Sequence, residues 1–453
     1  MVERRSIADA ERIDSCERPE LNEGRWLASC ASPQGQYRTL QNGQPVTKTI
    51  QLALLLSLCL TGCASRPYAT LLPVAATVPG AHVVDMLVAT TRAPSQVPGV
   101  VFAGDRGIGL SVENIVVSIP PDAVRKPGAV IYPKQNPGEP SHEFVALKID
   151  SMDATQSQSW YGRVAGLKKR VLLFVHGFNT TYEEAVFRFA QISHDTGVNA
   201  APILFTWPSQ GSIFGYLYDR ESANYSRDSL ERIIESAVDR PDVDEITILA
   251  HSMGSWLAME AIRQMAIRRG DLPAKLRNIV LASPDLDVDV FREQLDEIGP
   301  AQDRITIFTS QDDRALLVSR RLAGGVQRLG TVDLTRPEVQ AFYAARGIDV
   351  VDLSGVQAGD GLNHTKFAES ADVVRAIGGR LIAGDNISDS RIGVAETIGA
   401  TAIGTAQGVG SAIGATATIP SAIVDPEGRR RLRERIEDSG RNFGGSLQTV
   451  TGR

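Results

Sequence analysis

One stretch of the sequence sets a nucleophile where acyl-transfer chemistry needs it. Ala250-His251-Ser252-Met253-Gly254 joins an apolar run, Ile246 to Ala250, to a segment of helical period, Gly254 to Arg269. A serine on so sharp a strand-to-helix turn projects its hydroxyl clear of the sheet, and small neighbours relieve the crowding there. Ser252 is therefore the candidate nucleophile, with Ala250 standing where the G-x-S-x-G pattern has its first glycine. A serine at its own pKa attacks poorly and needs a base, which a third group must orient. Of the six histidines only His364 lies beyond Ser252, in a loop just ahead of a helical segment. Between them Ser310-Gln311-Asp312-Asp313-Arg314 follows another apolar run and offers a carboxylate to fix the imidazole tautomer. Asp313 is chosen as the acid over Asp312. Asp285 and Asp287 are the less favoured acids, with capping of the following helix as their other role.

The tetrahedral intermediate of acyl transfer also needs hydrogen-bond donors for its oxyanion. The Met253 amide, next after the nucleophile, is one. The other is expected from His176-Gly177-Phe178-Asn179, where Gly177 lets the backbone approach the substrate and the Phe178 amide becomes the donor. His176 reads as a structural histidine of that turn. A long loop from Trp207 to Ser226, carrying Tyr216, Tyr218 and Tyr225, is expected to be a lid or acyl-pocket wall, with Trp207 and Tyr216 touching substrate. Neither H-E-x-x-H nor a phosphate-binding G-x-x-x-x-G-K-[ST] loop occurs, so neither metal nor other cofactor is expected.

These positions demand a particular scaffold. From Lys169 onward, near-continuous apolar runs at Val171 to His176, Ile203 to Trp207, Ile246 to Ala250, Asn278 to Ser283, Ile305 to Thr309 and Ile348 to Leu353 read as strands covered on both faces. Helical segments at Glu183 to Ser193, Arg227 to Val238, Gly254 to Arg269, Val288 to Ile298 and Thr365 to Ile377 alternate with them. The pattern predicts a doubly wound, mostly parallel α/β sheet with helices on both faces. Before it, residues 83–160 hold short β-type runs between Pro and Gly punctuation, a small β-rich section. The catalytic domain is expected at 161–384, and a Gly/Ala-rich then charged tail, flexible or membrane-contacting, at 385–453.

The chain of 453 residues can bury a large core, and 47 Lys and Arg against 53 Asp and Glu leave a charge of −6. No global positive field exists to hold nucleic acid, and none is expected as a partner. Cys59 and Cys63 close an apolar run, Ile50 to Leu60, too short to span a bilayer and preceded by Lys48. Its end, Leu60-Thr61-Gly62-Cys63, resembles the lipobox of bacterial lipoproteins, which implies a signal peptide at 46–63 and diacylation of Cys63. Ala64 after the cysteine implies sorting to the outer membrane, facing the periplasm. Residues 1–45 then read as a non-native extension from a start codon set too early, and 64–82 as a linker.

Val-His-Gly-Phe-Asn-Thr at 175–180, Phe-Thr-Trp-Pro-Ser at 205–209, Ala-His-Ser-Met-Gly at 250–254 and Ala-Ser-Pro-Asp-Leu-Asp at 282–287 together resemble a bacterial α/β-hydrolase family of unknown function, domain of unknown function 900. Ser-Gln-Asp-Asp-Arg-Ala-Leu at 310–316 fits it too and favours Asp313, because the family aspartate precedes a basic residue and Ala-Leu. The resemblance covers about residues 83–383, Ala89-Thr90-Thr91-Arg92 included. It implies a serine hydrolase, esterase- or lipase-like, acting on a small-molecule or lipid acyl substrate at the envelope. An acyltransferase with the same triad and a non-catalytic scaffold are the alternatives. If Cys63 carries the anchor, Cys63→Ser shifts the protein from the membrane to the soluble fraction on cell fractionation; full retention on the membrane refutes the anchor.

Overall fold

The computed structural model describes residues 66–75, 77–356, 360–383 and 401–403. Cys63, the segments expected at 1–45 and 46–63, and the tail at 385–453 apart from 401–403 lie outside the described residues. Two long strands open the fold, β1 (His82–Pro94) and β2 (Phe102–Ile119), followed by β3 (Val145–Ser151). Helix α1 (Ala154–Trp160) begins at a capping box between Asp153 and Gln156 and runs on through a π turn, Tyr161–Ala165. The alternating part then follows as β4 (Arg170–Val175), α2 (Tyr182–Asp195), β5 (Ala201–Thr206), α3 (Tyr216–Val238), β6 (Glu245–His251), α4 (Met253–Arg269), β7 (Leu276–Ala282) and α5 (Val288–Ile298). It ends with β8 (Ile305–Thr309), α6 (Arg314–Leu322), α7 (Pro337–Arg346), β9 (Asp349–Asp352), α8 (Lys366–Glu369), α9 (Ala371–Ala383) and β10 (Thr401–Ile403).

All these strands form one sheet in the order β10-β9-β8-β7-β6-β4-β5-β1-β2-β3. Pairing is parallel from β9 through to β1 and antiparallel at both margins. The β-rich section is thus continuous with the sheet: Leu87 to Thr90 of β1 lie beside Ile203 to Thr206 of β5. From β4 the chain steps outward to β5, then crosses back to place β6 on the other side of β4. The strand order therefore reverses between β4 and β6, the point in an open α/β sheet where a crevice opens beyond the strand ends.

Both sheet faces are packed. One core gathers Ile203, Ile248 and Leu281 under α3, α4 and α5, with Leu230, Ile234, Leu257, Ile262 and Phe291 buried. The other sets Phe174, Leu204 and Leu249 against α2 and α9, through Phe187, Phe189, Val373 and Ile377. Among the described residues no helix is long and apolar enough to cross a membrane.

Several elements differ from the sequence reading. The stretch expected to be a long loop from Trp207 to Ser226 is helical from Tyr216, leaving Pro208 to Gly215 as the connection. Its buried face is polar and small, with Asp219, Ser222, Ser226 and Ser229, so no apolar period marks it. These residues bond instead, as Ser226 Oγ does to Thr91 Oγ1 at 2.7 Å. Helices α6 and α7, not expected, are short and largely exposed. The helix expected from Thr365 to Ile377 is two, parted at Ser370, whose backbone is extended (φ −77°, ψ 115°).

Phe187 of α2 meets Tyr132 and Phe144 edge-on, at 6.1 and 6.3 Å between centroids, and so ties the N-terminal section to the catalytic half. Phe187→Ala is expected to cost about 3–5 kcal/mol in a single cooperative denaturant transition; two separate transitions would mean that the halves fold apart.

Candidate active site

Ser252 sits between β6 and α4 at φ 54°, ψ −123°, a conformation that side-chain-bearing residues rarely adopt. Such a residue costs about 1–3 kcal/mol and persists only where its surroundings enforce it. Its amide donates to the Ala282 carbonyl at 2.9 Å, and its carbonyl accepts from Ser255 and Asp285 amides at 3.0 and 3.1 Å. The elbow is thereby bolted to the end of β7.

Two glycines make room for it. A β-carbon at 177 would stand 2.9 Å from both Ser252 Cβ and His251 Nδ1, and one at 254 would collide with the His176 and Val175 carbonyls. The loop leaving β4 therefore lies directly against the start of α4. The Met253 amide, at the first position of its helix, has no intrahelical acceptor, and the Phe178 amide makes no backbone hydrogen bond among the described residues. Among the described residues neither amide has a hydrogen-bond acceptor.

Beyond the ends of β8 and β9, Asp313 and His364 meet. Asp313 Oδ2 accepts from His364 Nδ1 at 2.7 Å, while Oδ1 caps α6 by accepting from the Leu316 amide at 3.0 Å. The carboxylate is fully buried. Asp312 is otherwise engaged, ion-paired at 2.7 Å to buried Lys366, which also donates to Ser310 Oγ and the Leu353 carbonyl. Asp285 is likewise occupied, by Arg328 at 3.1 Å and by hydroxyls of Ser319 and Tyr216. Asp287 caps α5 as its alternative role foresaw, but Asp285 does not. The His364 ring is held through its own backbone, whose amide donates to Asp360 Oδ2 at 2.8 Å and whose carbonyl accepts from His251 Nε2 at 3.2 Å. Among the described residues no hydrogen bond joins Ser252 to His364.

Electrostatics separate His176, His251 and His364. Burial pushes His176 down to about 3, aided by the Arg92 charge, and burial beside His364 holds His251 well below the usual histidine range. Both are neutral near pH 7. Burial also opposes the charge on His364, but the Asp313 carboxylate outweighs it and raises this imidazole above its ordinary value.

The pocket-wall expectation needs correcting. Trp207 is fully buried, stacked on His176 at 5.0 Å, with Nε1 donating to the His176 carbonyl at 2.9 Å. It braces the loop after β4, because its indole has no exposed face to offer a ligand. Tyr216 lies at the start of a helix and meets Phe178 edge-on at 5.3 Å. Sequence reasoning missed the buried supports of that loop. Arg92, on β1, donates to the Thr180 and Ser209 carbonyls at 2.8 Å each and to Thr206 Oγ1 at 2.9 Å. Asp219 accepts from the Asn179 and Gln210 amides at 3.2 and 2.9 Å. The Thr-Thr-Arg stretch marked Arg92; nothing local marked Asp219 or Lys366.

Comparison with known proteins follows these features. The family model for an alpha/beta hydrolase of unknown function (DUF900) matches residues 153–382. A solved structure of a Pyrobaculum calidifontis esterase, monoclinic form, aligns over 76% of this chain and 94% of its own, at 12% identity and a TM-score of 0.26. No curated protein matches the chain.

Removing the Asp313 charge leaves burial as the dominant influence on His364. In Asp313→Asn the imidazole is therefore expected to titrate below about 6.5, whereas in the parent it titrates above that value, as followed by the ring-proton NMR shifts. An unchanged titration would separate the two residues functionally.

Proposed function

From the premise that this chain belongs to the α/β-hydrolase family of unknown function, we propose that it is a serine hydrolase cleaving a carboxylic ester through Ser252, His364 and Asp313. The observation that carries the reading is the strained Ser252 elbow after β6, at the same sheet end as the Asp313–His364 pair that follows β8 and β9, with two unclaimed amides alongside. The strain aims the hydroxyl out of the sheet, and Asp313 leaves His364 Nε2 as the ring nitrogen able to accept a proton.

In this mechanism Ser252 Oγ bonds to the ester carbonyl carbon while its proton passes to His364 Nε2. The Phe178 and Met253 amides take up the charge on the former carbonyl oxygen. Collapse breaks the carbon–oxygen bond to the leaving alcohol, which departs with the proton from His364. Water then attacks the acyl-serine, giving its proton to His364, and the carboxylic acid leaves as Ser252 recovers its own. Exposed Phe214 and Leu217, flanking Tyr216, support an apolar acyl group on the substrate, small-molecule or lipid. The proposal also takes the chain as anchored through Cys63 at the outer membrane; its support is the Ile50 to Cys63 sequence, outside the described residues.

Fluorophosphonate labelling of the folded protein, with peptide mass spectrometry, is expected to place one adduct on Ser252 and none in His364→Ala. Ser252→Ala is expected to lower turnover of p-nitrophenyl esters by on the order of a million-fold. A folded protein that hydrolyses esters equally well without Ser252 would end the proposal.

A further inference from the structure

At the end of the sheet opposite the candidate active site, three side chains from three separate elements converge. His82 opens β1, Asp122 follows the end of β2, and His194 lies in the last turn of α2. The active-site loops leave the carboxyl ends of the parallel strands, and β1 runs parallel to β5, so its first residue lies at the far end. His82 Nε2 is 3.5 Å from Asp122 Oδ2, and His194 Nε2 is 3.4 Å from Asp122 Oδ1. The donor atoms of all three lie within 4.8 Å of one another, and the two rings are 4.2 Å apart between centroids.

Hydrogen bonding alone accounts poorly for this arrangement. Both contacts are longer than the 2.7–3.0 Å usual for a charge-assisted bond, and two protonated imidazoles this close would repel each other. Each imidazole nitrogen faces a different oxygen of one carboxylate at 3.4–3.5 Å, which leaves room for one ion among the three side chains. Bonds of about 2.0–2.1 Å to a tetrahedral zinc put neighbouring ligand atoms about 3.3–3.4 Å apart. Two imidazole nitrogens and a carboxylate oxygen are a normal zinc donor set, with a water completing it.

The surrounding charges permit a cation. The nearest positive group, Arg125, is committed to buried Asp195, donating from Nη1 to Oδ2 at 3.1 Å and from Nη2 to Oδ1. It comes no closer to Asp122 than 3.6 Å. Asp195 accepts further from the Gly128 amide and Gln191, so the hydrogen bonds of the guanidinium go to Asp195, and Asp122 shares its charge between the longer Arg125 contact and the two histidines. Asp122 is exposed and His82 and His194 are partly so, which gives an ion direct access from solvent.

We propose that His82, Asp122 and His194 bind a zinc ion that clamps the start of β1 and the turn after β2 to the end of α2. The ion is a structural staple, remote from the ester chemistry. Its ligands are far apart in the chain and form no spacing motif, which is why the sequence led to an expectation of no metal.

Zinc chloride titrated calorimetrically into the full chain, with its cysteines alkylated to remove thiolate ligands, is expected to bind at one ion per chain. At a hundredfold excess over Kd the midpoint of thermal unfolding should rise by about 5 °C. His82→Gln and His194→Gln should each weaken binding at least tenfold and abolish the shift, while His142→Gln, exposed and outside the cluster, changes neither. Normal far-ultraviolet circular dichroism of the variants separates loss of ligands from loss of fold. Zinc binding of equal strength in the parent and in the double variant His82→Gln/His194→Gln, or no binding up to millimolar zinc, would overturn the proposal.

Discussion

The organisation of this molecule depends on how closely two stretches of backbone approach each other beyond the ends of β4 and β6. A serine at positive φ cannot relax into the helix that follows it, and the loop opposite cannot retreat, because β4 and β6 are hydrogen-bonded neighbours from Arg170 to Val175. Gly177 and Gly254 remove the two β-carbons that would forbid the contact. The topological switch supplies the place, and the missing side chains supply the distance. Moving either loop outward by the width of a methyl group would carry the Phe178 amide away from the Met253 amide.

Buried charge then keeps that arrangement from drifting. Arg92 reaches from β1 across β5 to the loops around Thr180 and Ser209, and burial lowers its guanidinium to about 10, still charged near pH 7. Lys366 holds Asp312 and the chain after β9 in the same way. A charge removed from water is costly unless every donor finds a partner, so such groups tolerate little displacement of the backbone they bind.

Much of this was legible in the residues. Strands covered on both faces announce themselves as apolar runs, so β4 to β9 fell within a few residues of their expected bounds, and the elbow at Ser252 followed from the strand-to-helix junction. Chain order pointed to His364 and Asp313, which the fold brings to 2.7 Å. What escaped notice shares one cause. The first half of α3 buries Asp219, Ser222 and Ser226, which bond to Ser209, Arg106 and Thr91 on other elements, and burial of this kind leaves no apolar period to separate a helix from a loop. Trp207 failed for the opposite reason: an aromatic in a motif suggests a ligand surface, yet here the ring is spent on His176.

The attachment of β1 to β5 has a kinetic side. Leu87 pairs with Ile203, and everything from β2 to α2 is inserted between the two strands in the chain. Loop closure over such a separation must be met before the parallel pairing gives anything back, so this join belongs to the slow, non-local part of folding. The β1–β2 hairpin can form early from neighbouring sequence, but the other edge of β1, with Leu87, Val88 and Ala89, stays open until residues 201–206 exist to cover it. During synthesis β1, the first strand among the described residues, is therefore an apolar template waiting for a partner, and whatever occupies that edge in the interval decides between folding and aggregation.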